Sequence, residues 1–115
     1  MIGRGRYILV GKTPVPCDDL LTWGRWLETA DRHVAKDTIG PAYISTVFLG
    51  LDHNFGSGPP LLFETMVFDG VDDSYQRRCS TWKQAKAMHA EAVAYVKAAI
   101  ETADRRMVDA RPPHP

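Results

Sequence analysis

The segment of the chain best suited to chemistry is an eleven-residue loop, Gly50 to Pro60, between two apolar runs. It holds Asp52, His53 and Asn54 in a row, together with Phe55, three glycines and two prolines. Simple hairpins use roughly two to five loop residues, and longer loops between rigid strands commonly present binding surfaces. The composition therefore predicts a ligand site at this loop.

The ligand that this loop favours is an anion or a nucleotide. Gly56 and Gly58 can adopt positive φ angles, which turn successive N–H groups toward a phosphate. Asn54 could bind a polar edge, and Phe55 could stack on a base. The spacing matches neither a P-loop nor a dinucleotide fingerprint. The alternative is a turn-rich connection whose proline pair stiffens the entry to the next strand.

His53 could act as a general acid or base, or as a metal ligand. Asp52 is not a ready partner for it, because neighbours in an extended chain point to opposite sides. His33, His89 and His114 show no ligand spacing, so we predict neither a metal nor a cofactor. The simpler interpretations are a hydrogen-bonding role for His53 and a satisfied core position for His89, on the apolar face of the last helix.

Glu64 is the unusual acid of the chain, since it interrupts the apolar run LLFETMVF. A carboxylate in such a strand must be paired, hydrogen-bonded or protonated. It could bind hydroxyl or amine groups of a ligand, with Arg78 beside it. The alternative is a structural ion pair with Arg77 or Arg78 on the following strand.

Composition limits the class of protein. The 115 residues carry 14 basic and 14 acidic side chains and 44% apolar residues, which is typical of one soluble domain. Zero net charge disfavours a nucleic-acid binder. No apolar run approaches the roughly 20 residues that span a bilayer, so we expect a cytoplasmic protein without membrane contact. Cys17 and Cys79 are expected to be free thiols, with a disulfide as the alternative.

The patterns predict an α+β fold of order β-α-β-β-β-α, a mostly antiparallel four-stranded sheet with both helices on one face. The predicted elements are a strand over 6–10, a helix over 18–33 capped by Cys17 or Asp18, strands over 43–49, 61–68 and 75–79, and a helix over 81–108. Residues 12–16 and 36–41 are predicted as a turn and a loop. Residues 1–110 form one domain, and 111–115 a disordered tail.

Two features predict a homo-oligomer. Both faces of the two central strands are largely apolar, which suggests helices on one side and a second subunit on the other. The second feature is the length of the last helix, which begins at a predicted capping box of Thr81 and Gln84. At 1.5 Å per residue that helix would be roughly 42 Å long, against about 34 Å for a compact domain of this size. It should therefore fray or project onto another subunit.

Three strings carry a resemblance: TPVPCDDLLTWGRW, STVFLGLDHNFGSGPPLLFETMVF and STWKQA. They resemble a group of small uncharacterised proteins of tailed bacteriophages and prophages, from about Tyr7 through the last helix. The GRGRY start and the proline-rich tail fall outside that pattern. The resemblance implies a phage origin and a host-cytosol setting, and it supplies no catalytic residue.

Together these features predict a homo-oligomeric phage anti-defence protein that binds and sequesters a small nucleotide-like immune signal. The predicted ligand-binding residues are Asp52, His53, Asn54, Phe55, Gly56, Gly58, Glu64 and Arg78. One alternative is an enzyme that cleaves such a nucleotide with His53. The other is a structural or host-protein-binding phage protein.

Overall fold

A computed structural model describes residues 5–70 and 74–109, with side chains through residue 106. The predicted tail 111–115 lies outside these residues. The elements are β1 Tyr7–Val10, β2 Thr13–Pro16, α1 Leu20–Thr29, β3 His33–Ile39, β4 Ala42–Phe48, β5 Phe63–Phe68, β6 Gln76–Cys79 and α2 Trp82–Asp109. The class is α+β, as predicted.

The main sheet is an antiparallel meander in the order β3-β4-β5-β6. The strands β4, β5 and β6 agree with the predicted spans within two residues, and β6 lies at an edge of the sheet. Every second side chain of β4 is fully buried, at Ala42, Ile44, Thr46 and Phe48. The alternation marks one strand face as the core face.

The strand β3 is a correction, because the sequence predicted a helix end and then a loop over Lys36–Pro41. The helix α1 instead ends at Thr29. Asp31 then accepts a hydrogen bond from the backbone N–H of His33 at 3.0 Å, a local bond that competes with continued helix. Lys36, Asp37 and Thr38 within β3 are polar, which suits an edge strand. The bonding continues one residue before β3, where Phe48 N–H of β4 donates to the Arg32 carbonyl at 2.8 Å.

The first strand is a second correction. It does not join the main sheet but forms a separate two-stranded hairpin with β2, in a segment predicted as an irregular turn. Tyr7 lies opposite Pro16, and Leu9 lies opposite Pro14. A two-stranded hairpin has outward-facing backbone positions that need no N–H donor, so proline is tolerated there. Gly11, at φ +64°, makes the turn between the strands.

Both helices lie toward the core face of the sheet. The helix α2 contacts all four strands. Trp26 of α1 meets Phe48 edge to face, with ring centroids 5.6 Å apart. The cap of α1 is Asp19, one residue beyond the predicted positions, and it accepts a hydrogen bond from Leu21 N–H. The two helices thus pack on one side, as predicted, and leave the opposite sheet face without a helix.

The helix α2 begins at the predicted capping box. Gln84 N–H donates to Thr81 Oγ1 at 3.1 Å, and Thr81 N–H donates to Gln84 Oε1 at 3.2 Å. Ile100 is its last residue packed on the core cluster, and the following residues through 106 are mostly exposed. In the described part of the chain, no helix combines the length and apolarity that crossing a membrane requires.

Candidate functional site

The loop after β4 is anchored at Gly50. Its carbonyl accepts hydrogen bonds from Trp23 Nε1 at 2.8 Å and from Tyr7 N–H at 2.9 Å. Gly50 has φ +78°, and a Cβ there would lie 2.8 Å from Leu27 Cδ2. The start of the loop is therefore held between α1 and the hairpin, and only glycine fits this position.

Asp52 closes the loop. Its Oδ1 accepts from Asn54 N–H at 2.7 Å and from Leu61 N–H at 2.9 Å, which joins the two ends. Its own N–H donates to the Gly5 carbonyl at 3.0 Å. The carboxylate predicted to bind a ligand thus serves the backbone of its own loop.

Asn54 organises the tip of the loop. Its Nδ2 donates to the carbonyls of Ser57 at 3.2 Å and Pro59 at 2.8 Å, and its Oδ1 accepts from Gly56 N–H at 2.9 Å. Gly58 has the predicted positive φ, at +110°. Gly56 does not, and its N–H is engaged by Asn54, so the expectation of successive free N–H groups is wrong at Gly56.

His53 is half-buried at the base of the loop. Its N–H donates to the Leu61 carbonyl at 3.0 Å, and its Nδ1 lies 2.7 Å from the Leu51 carbonyl. Because a carbonyl only accepts, Nδ1 carries a proton and Nε2 is the acceptor of the neutral ring. Within residues 5–70 and 74–109, no three His, Cys, Asp or Glu side chains could hold a metal ion. Phe55 is 73% exposed.

Glu64 forms an ion pair with Arg78, one of the two predicted partners. Glu64 Oε2 accepts from Arg78 Nε at 2.9 Å and from Gln76 Nε2 at 2.7 Å. Because both donors use Oε2, Oε1 accepts from neither. Arg77 points to the other face of β6, where its guanidinium carbon lies 4.6 Å from the ring centroid of Tyr75. The ion pair is partly buried, with the two side chains 12% and 32% exposed.

This ion pair lies on the sheet face opposite α2, which we call the open sheet face. Strand alternation and register give its members as His33, Lys36, Thr38, Tyr43, Ser45, Val47, Glu64, Met66, Phe68, Gln76 and Arg78. No described helix packs on it. At one end Tyr43 and Phe68 stack with ring centroids 6.2 Å apart, and Phe68 is 42% exposed.

The sequence reasoning did not propose Lys36, Tyr43 or Phe68 as site residues. The signal for Phe68 was present, because it lies four residues after Glu64 and therefore shares its strand face. Tyr43 and Lys36 join that face only through the register of β3 and β4. The predicted site residues fall into two groups, the loop and the open sheet face, which are held by separate sets of hydrogen bonds.

A buried polar chain crosses the core between α2 and the sheet. His89 Nε2 lies 2.8 Å from Asp37 Oδ2, and its Nδ1 lies 2.7 Å from Thr46 Oγ1. Thr46 in turn shares a short hydrogen bond with Thr65. The order acid, imidazole, hydroxyl is that of a hydrolytic triad, but Thr46 is fully buried and out of reach of a substrate. His89 is a satisfied core residue, as predicted.

No protein-family model, no curated protein and no solved structure matches this chain. The arguments for its function therefore come from its own residues.

Proposed function

We propose that this protein is a binding protein that holds a small nucleotide-like ligand on the open sheet face. The observation that carries the proposal is the ion pair of Glu64 and Arg78, partly buried on a face that no described helix covers. In the biological setting implied by the phage-like strings, such a protein would sequester a nucleotide signal of bacterial immunity.

The ion pair retains hydrogen-bonding capacity for a ligand. An arginine side chain has five N–H donors, and Glu64 engages only Nε of Arg78. Glu64 Oε1 is an acceptor beside those donors. Adjacent donors and an acceptor suit sugar hydroxyls, phosphate oxygens and base edges alike. Partly buried charges also cost desolvation, so their presence on this face favours a binding role over a purely packing role.

The loop has a supporting role in this proposal. Asp52 and Asn54 hold the loop rigid through their own hydrogen bonds. The loop can therefore present Phe55 with little loss of conformational entropy on binding. Contacts from Gly58 and Phe55 to a ligand stay predictions. We expect a homo-oligomer in which two open sheet faces share the ligand between them.

The test is native mass spectrometry of the purified protein with a panel of nucleotides. A stoichiometric adduct of unchanged ligand mass is expected, and the same spectra give the number of subunits. Arg78→Leu should abolish the adduct, while Arg77→Leu should keep it, because Arg77 lies on the other face of β6. A spectrum without any adduct across the panel would refute the proposal.

A second candidate function is cleavage of the nucleotide by His53. The hydrogen bond from its Nδ1 to Leu51 leaves Nε2 as a base in the neutral ring, which favours this role. The same mass spectra separate the two functions, since an enzyme would change the mass of the nucleotide. Turnover that survives His53→Ala would exclude this mechanism.

A third candidate is binding of a host or phage protein by the open sheet face. Val47, Met66 and Phe68 give this face an apolar component that a protein partner could bury. This function predicts that Phe68→Asp abolishes partner binding in a protein that binds no nucleotide.

A further inference from the structure

The open sheet face has two recognition ends that are far apart. The stacked rings of Tyr43 and Phe68 form one end, and the ion pair of Glu64 and Arg78 forms the other. Glu64 and Phe68 are four residues apart on β5, which is about 13 Å at 3.3 Å per residue. A single nucleobase is too short to reach both ends.

The aromatic end suits one nucleobase. The exposed ring of Phe68 offers a flat apolar surface beside Tyr43. Stacking on such rings accepts any base, because every base has a π-face.

The ion-pair end suits a second nucleobase through its edge. A carboxylate oxygen accepts from ring or exocyclic N–H groups, and a guanidinium donates to ring nitrogens and carbonyl oxygens. Glu64 Oε1 and the outer nitrogens of Arg78 offer these two functions side by side.

The middle of the face suits a phosphate. Lys36 and Ser45 are register partners on β3 and β4, and Ser45 is also paired with Met66, midway between Glu64 and Phe68. Arg78 is paired with Glu64, and Lys36 brings a second positive charge to the face, within electrostatic range of Asp31 just before β3. An ammonium and a hydroxyl are suitable ligands for a phosphodiester.

We infer that the open sheet face selects a dinucleotide, with one base stacked on Phe68, the linking phosphate near Lys36, and the second base on the ion pair. This inference rests on the proposed function and narrows its ligand class. The order base, phosphate, base matches the order of the three groups of side chains along the strands.

Equilibrium dialysis compares cyclic and linear dinucleotides of adenine and guanine with the 5′-monophosphate of the same base, at one salt concentration. We expect at least one dinucleotide to bind roughly tenfold or more tighter than its monophosphate, since a second stacked or hydrogen-bonded base adds its own contribution. A monophosphate that binds as tightly as every dinucleotide overturns the dinucleotide class and leaves the proposed function standing. Failure of all these nucleotides to bind overturns the inference, and the wider nucleotide panel then decides the proposed function separately.

Two pairs of variants locate the ligand. Phe68→Ala should weaken dinucleotide binding roughly tenfold, whereas Tyr95→Ala, which removes a comparably exposed ring from α2, should not. Lys36→Ala should weaken binding and lower its salt dependence. Lys83→Ala, at an exposed position of α2, should do neither. Circular dichroism confirms that each variant is folded. A larger loss from Phe55→Ala than from Phe68→Ala would place the ligand at the loop and overturn the inference.

Discussion

The imidazole of His89 on α2 lies 2.8 Å from the carboxylate of Asp37 on β3. Because a carboxylate accepts, the ring donates its Nε2–H to Asp37, and Nδ1 is hydrogen-bonded to the hydroxyl of Thr46. Thr46 also shares a hydrogen bond with the hydroxyl of Thr65. The chain of hydrogen bonds connects α2 to three strands, so it specifies how the helix sits on the sheet.

Thr46→Val tests this chain. The isosteric change leaves His89 Nδ1 and the hydroxyl of Thr65 without their hydrogen-bond partner in the core, and should cost about 1–3 kcal/mol of unfolding free energy. Thr102→Val is the matched control, because that exposed hydroxyl only donates to Ala98 on its own helix, and its effect should stay within about 0.5 kcal/mol. Urea unfolding measures both, and equal losses would contradict the structural role of Thr46.

A double-mutant cycle tests the ion pair. Glu64→Ala and Arg78→Ala should show a coupling of about 1 kcal/mol in urea unfolding, because the two charges are partly buried and hydrogen-bonded. The cycle of Glu64→Ala with Arg77→Ala should show coupling near zero, since Arg77 lies on the opposite strand face. Stronger coupling to Arg77 than to Arg78 would mean that the β5–β6 register is different.

Asn54→Asp tests the organisation of the loop. The change replaces the Nδ2 donor by a carboxylate oxygen that faces the carbonyls of Ser57 and Pro59, so we expect a loss of about 1–3 kcal/mol at neutral pH. Ser57→Ala keeps the accepting carbonyl and should be nearly neutral. Thermal unfolding compares the two, and hydrogen exchange should show faster opening of the loop in Asn54→Asp alone. Unchanged exchange would argue that Asn54 does not hold the tip.

Two glycine substitutions should change the stability of the protein in opposite directions. Gly50→Ala puts a Cβ 2.8 Å from Leu27 at a positive φ, and should destabilise the protein by about 1–3 kcal/mol. Gly24→Ala lies within α1 with no atom in the way of its Cβ, and should stabilise by about 0.5–1 kcal/mol. Melting temperatures measure both changes. A stabilising Gly50→Ala would mean that the loop leaves β4 differently.

The thiol of Cys79 should react slowly with alkylating reagents. Burial raises the pKa of this thiol above its ordinary value, so less thiolate exists at neutral pH. In Cys17→Ser, which keeps only this cysteine, iodoacetamide should react more slowly with the native protein than with the protein in urea. The native rate should rise as the pH rises toward the pKa of the folded protein.

The raised pKa of Cys79 also makes the stability of the protein depend on pH in alkali. The contribution of Cys79 to the free energy of unfolding is fully present below the pKa of this thiol in the unfolded chain. It is lost as the pH rises through the raised pKa of the folded protein. Cys79→Ser should therefore show a shallower loss of stability in alkali. Equal alkylation rates in native and unfolded protein would contradict the burial of this thiol.

Some elements were predictable because their signal is local. The central strands β4 and β5 appear as apolar runs, and the capping box of α2 needs only Thr81 and Gln84. The strand β3 was not predictable in this way, because polar residues such as Lys36 and Asp37 suit an edge strand and a loop equally well. Glu64 was recognised as unusual from its run, yet the choice between Arg77 and Arg78 required the register of β6.

The sequence by itself determined the fold class, the central strands, the long capped helix and the loop with its acid, histidine and asparagine. The tertiary structure alone decided what those loop side chains bind, which arginine meets Glu64, and how Lys36, Tyr43 and Phe68 come to share one face with it. The physical reason is the distance along the chain between the residues that interact. Helix caps and strand patterns depend on residues a few positions apart, whereas register and loop closure depend on backbone hydrogen bonds between distant segments, which exist only once those segments are packed together.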